Sequence, residues 1–501
     1  MKELVEEFLE KGYLVSPEFI EGIDGSFDKE KFLNELSRID GKKPLILNKN
    51  LEKLMPQEKK QNPEAVSKVF DKELSEKEGE TQNIIKIVDE YQKDEKKREI
   101  QDFVKYFKHR YNFLKDILQE RLELRNPISI NRLSNKNKGE KLSIIGLVVD
   151  KRVTKNGNMT ITIEDPTGAT TILVKKDKQE VYELAKNLVL DEVIGVNGSY
   201  GENILFANHI LSPDIPLTKE LKKVNDEVYA AFISDIHVGS KMFLPEDFQK
   251  FISWINGDYG SPELKEIAKK VKYLFITGDL VDGIGIYPEQ DKELVIKDIK
   301  EQYQKCADYL SQIKGDIQII ICPGNHDALR LSEPQPKLSQ KFAEPLYSLK
   351  NVMMVTNPAM VNIHSSQDFP GFDVLLYHGY SFDYYVSNVD SIRMNGGYDR
   401  ADLIMKYLLQ KRHLAPTHGS TLYIPNIKKD ALIINKIPDF FVTGHIHKAN
   451  ISSYKNITTI CCSCWQSKTT FQEKVGHNPE PSRVPVVNLK TREVKMFKFC
   501  N

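Results

Sequence analysis

Hydrophobic and polar positions change rhythm along the chain, and the changes divide it. Leu4, Val5, Phe8 and Leu9 fall at helical spacing, Ser16-Pro17-Glu18 reads as a helix start, and Phe32, Leu33 and Leu36 form another amphipathic stripe. Residues 1–47 therefore predict a small helical N-terminal module. Residues 48–98 are rich in Lys, Glu, Gln and Asn and poor in aromatics, which predicts a charged flexible linker unable to bury a core. Over 99–127 the helical period returns: Ile100, Phe103, Val104, Phe107, Tyr111, Leu114 and Ile117 form one stripe of a connecting helix, closed by Asn126-Pro127.

Residues 128–213 turn to strand rhythm. Leu142 to Val149, Met159 to Ile163 and Thr170 to Val174 read as strands, joined by turns at Lys155-Asn156-Gly157-Asn158 and Asp165-Pro166-Thr167-Gly168. A short helix near 180–187 precedes strands near 193–198 and 204–210. Three strands, a helix and two strands is the order of an OB-fold β-barrel. Few aromatics lie on these strands, so a structural or inter-subunit role stands beside a grip on single-stranded nucleic acid.

Residues 214–501 form the largest segment. Apolar runs at Ala231–Ile233, Tyr273–Ile276 and Ile317–Ile321 alternate with helices expected at Pro262–Lys270 and Asp291–Ile313, a layered α/β pattern. Ser261 stands as N-cap of the first of these helices, with Pro262 at its first helical position. After Ile451 the tail turns β-rich, which predicts a second sheet closing the domain. The whole is a multidomain α+β chain.

Composition narrows the partners. Lys+Arg 71 balances Asp+Glu 71, for a formal net charge of +0, which argues against a free-standing DNA binder but not against a subunit that shares a partner's basic channel. None of the six cysteines forms a CxxC pair, and Cys461-Cys462-Ser463-Cys464 is too tight for the usual zinc spacings, so buried thiols are expected. The start at Met1-Lys2-Glu3-Leu4 lacks a signal-peptide apolar core and no apolar stretch is long enough to span a bilayer. These features predict a soluble, reduced, cytoplasmic protein.

Candidate chemistry collects where the apolar runs end. Five ends carry ligand-type residues: Asp235-Ile236-His237; Gly278-Asp279-Leu280-Val281-Asp282; Gly324-Asn325-His326-Asp327; His378-Gly379; and Gly444-His445-Ile446-His447. Ligands of open α/β sheets sit beyond the carboxyl ends of their strands. Residues i and i+2 of a strand point the same way, so Asp235 with His237, and His445 with His447, reach one site if extended geometry persists past the strand. Carboxylate, amide oxygen and imidazole together suit borderline divalent ions such as Mn²⁺, Fe²⁺ or Zn²⁺. Seven such ligands are too many for one ion, which points to two ions that clamp an in-line displacement at phosphorus.

This pattern resembles the calcineurin-like metallophosphoesterases over about residues 229–450. The resemblance implies that Asp235, His237 and His447 bind a first divalent ion, that Asp279 bridges, and that Asn325, His378 and His445 bind a second. It implies Mn²⁺ as the leading metal, with Fe²⁺, Zn²⁺ or Mg²⁺ as alternatives. It makes His326 the group that stabilises the transition state or protonates the leaving oxygen, with Asp327 orienting it; Asp282 matches a less critical second acid and reads first as a turn residue or a support behind the ligands. An OB-fold placed before a phosphoesterase, with Lys411-Arg412-His413-Leu414-Ala415-Pro416-Thr417, resembles the B subunits of replicative DNA polymerases, and the complete ligand set resembles the small subunits of archaeal family-D DNA polymerases.

That family implies a 3′–5′ proofreading exonuclease acting on DNA with a single-stranded or mismatched 3′ end, partnered by a large catalytic polymerase subunit. A catalytically silent scaffold, or a phosphatase or phosphodiesterase for other substrates, are the competing readings. His413 and His418 read as structural or substrate-side residues, and Arg393, Arg400 and Lys448 as ordinary solvated surface residues first, with contact to phosphates the alternative.

Overall fold

The computed structural model describes residues 13–15, 45–47, 84–92, 97–426 and 429–500. Met1–Glu80 and Thr81–Asn501 are separate compact units. In the first, strand β1 (Tyr13–Val15) pairs in parallel with β2 (Leu45–Leu47), Tyr13 opposite Leu45. The helical module expected over 1–47 otherwise falls outside the described residues, as does the linker over 48–83.

Residues 84–90, expected as linker, are instead strand β3 (Ile84–Glu90). The β-branched run Ile84-Ile85-Lys86-Ile87-Val88 completes its backbone hydrogen bonds on the edge of a sheet some 270 residues further along the chain, with Ile87 opposite Val361. Surrounding charge hides so distant a partner from a compositional reading.

The connecting helix covers Ile100–Gln119 and buries Tyr106, Arg110, Tyr111, Leu114 and Leu118. It ends well before Asn126-Pro127 because the chain turns at Arg121, whose N–H donates to the Leu118 carbonyl, and carries Leu124 into a cluster with Leu147 and Val193 of the barrel. The barrel is closed by β4 (Lys141–Val153), β5 (Met159–Asp165), β6 (Gly168–Val174), β7 (Val193–Gly201) and β8 (Ile204–Leu211) in the order β4-β5-β6-β8-β7. A helix over Gln179–Lys186 lies between its third and fourth strands, the expected order. Both expected turns form: Gly157 takes φ +76° between β4 and β5, and Asp165 Oδ1 accepts the Thr167 and Gly168 N–H groups between β5 and β6.

Two six-stranded sheets build the rest. β9 (Tyr229–Ile233), β10 (Val271–Thr277), β11 (Gln318–Cys322) and β12 (Val352–Met354) are parallel neighbours. In the second sheet β13 (Ala359–Ser365) pairs with β3 and with β14 (Phe372–Leu376), followed by β15 (Phe440–Thr443), β17 (Ile457–Cys461) and β16 (Asn450–Tyr454). The tail was expected to form this second sheet; in fact it divides, for β18 (Arg483–Asn488) and β19 (Val494–Lys498) return to extend the first sheet beside β9.

Strand alternation explains the unbroken apolar runs. Ala231, Ile233, Leu274, Ile276, Ile319 and Ile321 face helices that contribute Phe248, Trp254, Tyr303 and Leu310. The intervening Phe232, Tyr273, Phe275 and Ile320 face Val361, Val374, Phe440 and Val442 of the other sheet. Leu375 and Phe441 in turn meet an outer layer with Phe382, Tyr385, Ile404 and Leu408. Helix, sheet, sheet and helix are thus four layers, and each strand is buried on both faces. The helix expected over Asp291–Ile313 is shorter, Ile299–Leu310, because Asp298 accepts the Lys300 and Glu301 N–H groups and starts it there, while Gln290 turns its amide onto Asp282.

Candidate metal centre

All five ligand-bearing segments converge beyond the carboxyl ends of β9, β10, β11, β14 and β15, at the edge where the two sheets meet. The expected extended geometry does not persist. Asp235, His237, Asp279, His445 and His447 all take left-handed backbone with φ between +51° and +70°. Such conformations cost of order 1–3 kcal/mol each for non-glycine residues and collect at functional sites. Asp235 and His237 therefore meet by tight turns after the strand, not by strand alternation. Gly278, at φ +90°, packs so closely that a methyl there would lie 2.3 Å from His378 Nδ1.

Two sets of donor atoms result. His237 Nε2 and His447 Nε2 stand 3.1 Å apart, with Asp235 Oδ1 3.3 Å from the latter. On the other side, His378 Nε2 lies 2.9 Å from Asn325 Oδ1 and 3.3 Å from Asp279 Oδ2. Asp279 Oδ2 is also 3.9 Å from His237 Nε2, so this carboxylate lies between the sets. Ligand atoms of Asp235, His237 and His447, and of Asp235, Asp279 and His378, fall within 4.8 Å of one another. His445 stands apart: its ring centroid is 5.3 Å from that of His378, and its Nε2 lies 3.1 Å from Asp383 Oδ2.

The electrostatics suit a cation. Burial works against the charge on Asp279, yet the His378 and His326 imidazoles outweigh it and hold the carboxyl well below its usual range. Burial likewise opposes a proton on His378, but Asp279 and Asp235 push it up to about 10. The cluster thus stabilises positive charge where imidazole, amide and carboxylate atoms converge, and a divalent ion meets the same demand.

His326 and Asp327 are close to the centre but not paired. The His326 ring stands edge-on to His237 with centroids 4.6 Å apart. Its Nδ1 lies 2.8 Å from the Asp282 main-chain carbonyl, which can only accept, so Nδ1 carries hydrogen and Nε2 is the end turned to chemistry. Asp327 does not orient this ring. It accepts the Tyr303 hydroxyl at 3.0 Å and the Gly324 N–H at 2.9 Å, and closes the loop that carries Asn325 and His326. Burial, then the nearby Asp279 charge, push its carboxyl up to about 7.

Asp282, expected as a turn residue or a support behind the ligands, is the latter: it receives His237 Nδ1 at 3.1 Å and is itself held by Gln290 and Gln466 amides at 3.0 and 2.9 Å. The glutamines around the centre escape a motif-level reading. Gln472 meets His447 Nδ1 at 2.9 Å. Glutamines in isolated loops carry no local signal of such contacts. His413 is structural, buried with Nε2 2.8 Å from Asp430. His418 packs against Phe103 and Tyr423. Lys448 pairs with Asp399, Arg393 with Asp390 and Arg400 with Asp402. Cys461, Cys462 and Cys464 are buried free thiols. Among the described residues no helix is long and apolar enough to cross a membrane.

Residues 229–449 match the family model for calcineurin-like phosphoesterases. The chain is 41% identical over 399 residues to the DNA polymerase II small subunit of Methanothermobacter thermautotrophicus, covering 79% of each chain. It is 40% identical over 392 residues to that of Methanocaldococcus jannaschii, spanning 78% of this chain but 64% of the relative, and 37% identical over 401 residues to that of Halobacterium salinarum, spanning 80% and 75%.

Proposed function

The chain belongs to the DNA polymerase II small-subunit family, and from that membership we propose that it is a metal-dependent 3′–5′ exonuclease, the proofreading subunit of a two-subunit archaeal replicative DNA polymerase. The observation that carries the reading is the convergence of Asp235, His237, Asp279, Asn325, His378 and His447 at five strand ends, in a chain whose relatives bear that name. A centre of this make-up suits phosphodiester hydrolysis; the family supplies DNA as the substrate and a large catalytic subunit as the partner.

Asp235, His237 and His447 would hold one divalent ion and Asn325, His378 and His445 a second, with Asp279 a ligand open to either; bound there, the ions, Mn²⁺ first among the candidates, would supply Lewis acidity and a more acidic water. His326 acts at the leaving 3′-oxygen. With Nδ1–H fixed on the Asp282 carbonyl, Nε2 points to the reacting group, and a proton passes from Nε2 to that oxygen. Burial lowers the His326 pKa, so this acid limb favours lower pH. The closed barrel, whose strand order supports an OB-fold, fits a structural or inter-subunit role beside the phosphoesterase.

The test is Mn²⁺-dependent digestion of a 3′-mismatched primer by the chain alone and with a large subunit. His326→Ala is expected to slow cleavage about 10²–10⁴-fold with metal binding intact. No digestion by folded, metal-loaded protein in either setting would leave a scaffold role. Rapid turnover of a phosphomonoester without action on DNA would leave a phosphatase.

A further inference from the structure

Three of the four proposed ligand histidines turn Nδ1 away from the other ligands. His237 Nδ1 meets the Asp282 carboxylate at 3.1 Å and His378 Nδ1 the Thr277 carbonyl at 2.8 Å, both acceptors, whereas His447 Nδ1 meets the Gln472 amide nitrogen, a donor, at 2.9 Å. Their Nε2 atoms face inward, within 3.3 Å of another ligand atom. His445 is reversed: Nε2 is the engaged atom, on Asp383 Oδ2 at 3.1 Å, which leaves Nδ1 as its ligand atom. Its main chain is pinned as well, since the His445 N–H donates to Asp235 Oδ2 at 3.0 Å with φ +70°.

We propose that Asp383 is a positioning residue for the second ion: it holds His445 Nε2–H so that the Nδ1 lone pair serves the site beside His378. This rests on the two-ion reading above. A carboxylate on the far nitrogen of a ligating imidazole fixes its tautomer and raises its basicity, and losing such a partner typically costs about 10–100-fold in metal affinity. Asp383 is suited to the task. It lies in the first turn of the helix Phe382–Asn388, shortly after the strand end that carries His378, so one segment places both a ligand and the support of another. Tyr398 stands near its carboxylate, and the Tyr398 ring packs against His477 with centroids 4.0 Å apart. Because the His445 backbone touches Asp235 while its ring serves the second ion, the residue also couples the two sites.

The experiment is titration of the metal-free full chain with Mn²⁺, followed by calorimetry and electron paramagnetic resonance, for wild type, Asp383→Ala and Asp383→Asn. Wild type is expected to bind two ions and show the exchange-coupled spectrum of a close pair. Asp383→Ala is expected to keep the first ion and lose about 10–100-fold in affinity for the second, so that an isolated-ion spectrum persists at one equivalent and beyond. Asp383→Asn, whose amide oxygen still accepts from Nε2, falls between. Unchanged affinity for both ions in Asp383→Ala would overturn the proposal. Tighter binding of the second ion would overturn it too, by making Asp383 a competitor for His445. A wild type that binds a single ion would refute the two-ion reading itself, a result distinct from either.

Discussion

Removal of the Arg110 guanidinium should unlock the joint between the long helix, the barrel and the phosphoesterase. Arg110 is fully buried; its Nε lies 2.7 Å from Asp430 Oδ2, also buried, and its Nη1 donates to the Pro416 carbonyl at 2.6 Å and to that of Asp191 at 3.4 Å. The guanidinium also lies 4.9 Å from the Phe107 ring centroid and 5.2 Å from that of Tyr423. Arg110→Met keeps the stem and leaves the Asp430 carboxylate buried beside a neutral His413. Stranding one partner of a buried pair costs about 3–5 kcal/mol. The pH dependence identifies the cause. Burial, then the Arg110 charge, hold His413 down to about 4. The unfolded imidazole binds a proton below about pH 6.5 and the folded one does not, so wild-type stability falls, by up to about 3 kcal/mol, as pH drops through this window. Without Arg110 one of the two causes is gone while burial and the Ala415 N–H on His413 Nδ1, at 3.0 Å, remain, so that loss shrinks. Urea midpoints at about pH 8 and about pH 5.5 should therefore show a gap between variant and wild type that narrows by about 1 kcal/mol at the lower pH. Arg110→Met with Asp430→Asn should recover much of the loss. A cost below about 1 kcal/mol at the higher pH, or a double variant as unstable as the sum of its singles, would refute the buried-charge argument.

Other predictions concern the centre. A methyl at Gly444 would lie 1.9 Å from Ser234 Oγ and 2.5 Å from Asp235 Oδ2, so Gly444→Ala should weaken Mn²⁺ binding at least about tenfold while the chain stays folded, read by calorimetry. Burial pushes the Glu333 carboxyl up to about 7, so its contribution to stability is present at low pH and lost as pH rises through that value; Glu333→Gln should flatten this slope and exceed wild type by about 3 kcal/mol above about pH 8 in urea unfolding. Mn²⁺ at about a hundred times its Kd should raise stability by about 2.7 kcal/mol, reversed by chelation and abolished in Asp279→Ala, as thermal unfolding would report.

What the sequence makes legible depends on how local the cause is. Strand ends and their ligands can be read because both faces of β9, β10, β11, β14 and β15 are buried, so each strand is an unbroken apolar run and the polar residues that end it stand out. Contacts made across the fold cannot be read this way. β3 looks like linker because its partner, β13, is remote in sequence. Asp327 sits next to His326 and invites pairing, but the loop turns it inward to Tyr303 and Gly324, while Asp282, from another strand end, carries the His326 ring on its carbonyl and the His237 ring on its carboxylate. The left-handed conformations at Asp235, His237, Asp279, His445 and His447 are equally silent in composition, since none of the five is glycine. Their cost can be met only by packing and hydrogen bonds gathered from all five strand ends. The ligand set is therefore written locally, whereas its geometry belongs to the fold. Sequence can say which residues approach an ion. The question of which nitrogen each histidine presents is decided by acceptors such as Asp282, Asp383 and the Thr277 carbonyl that the fold brings from elsewhere.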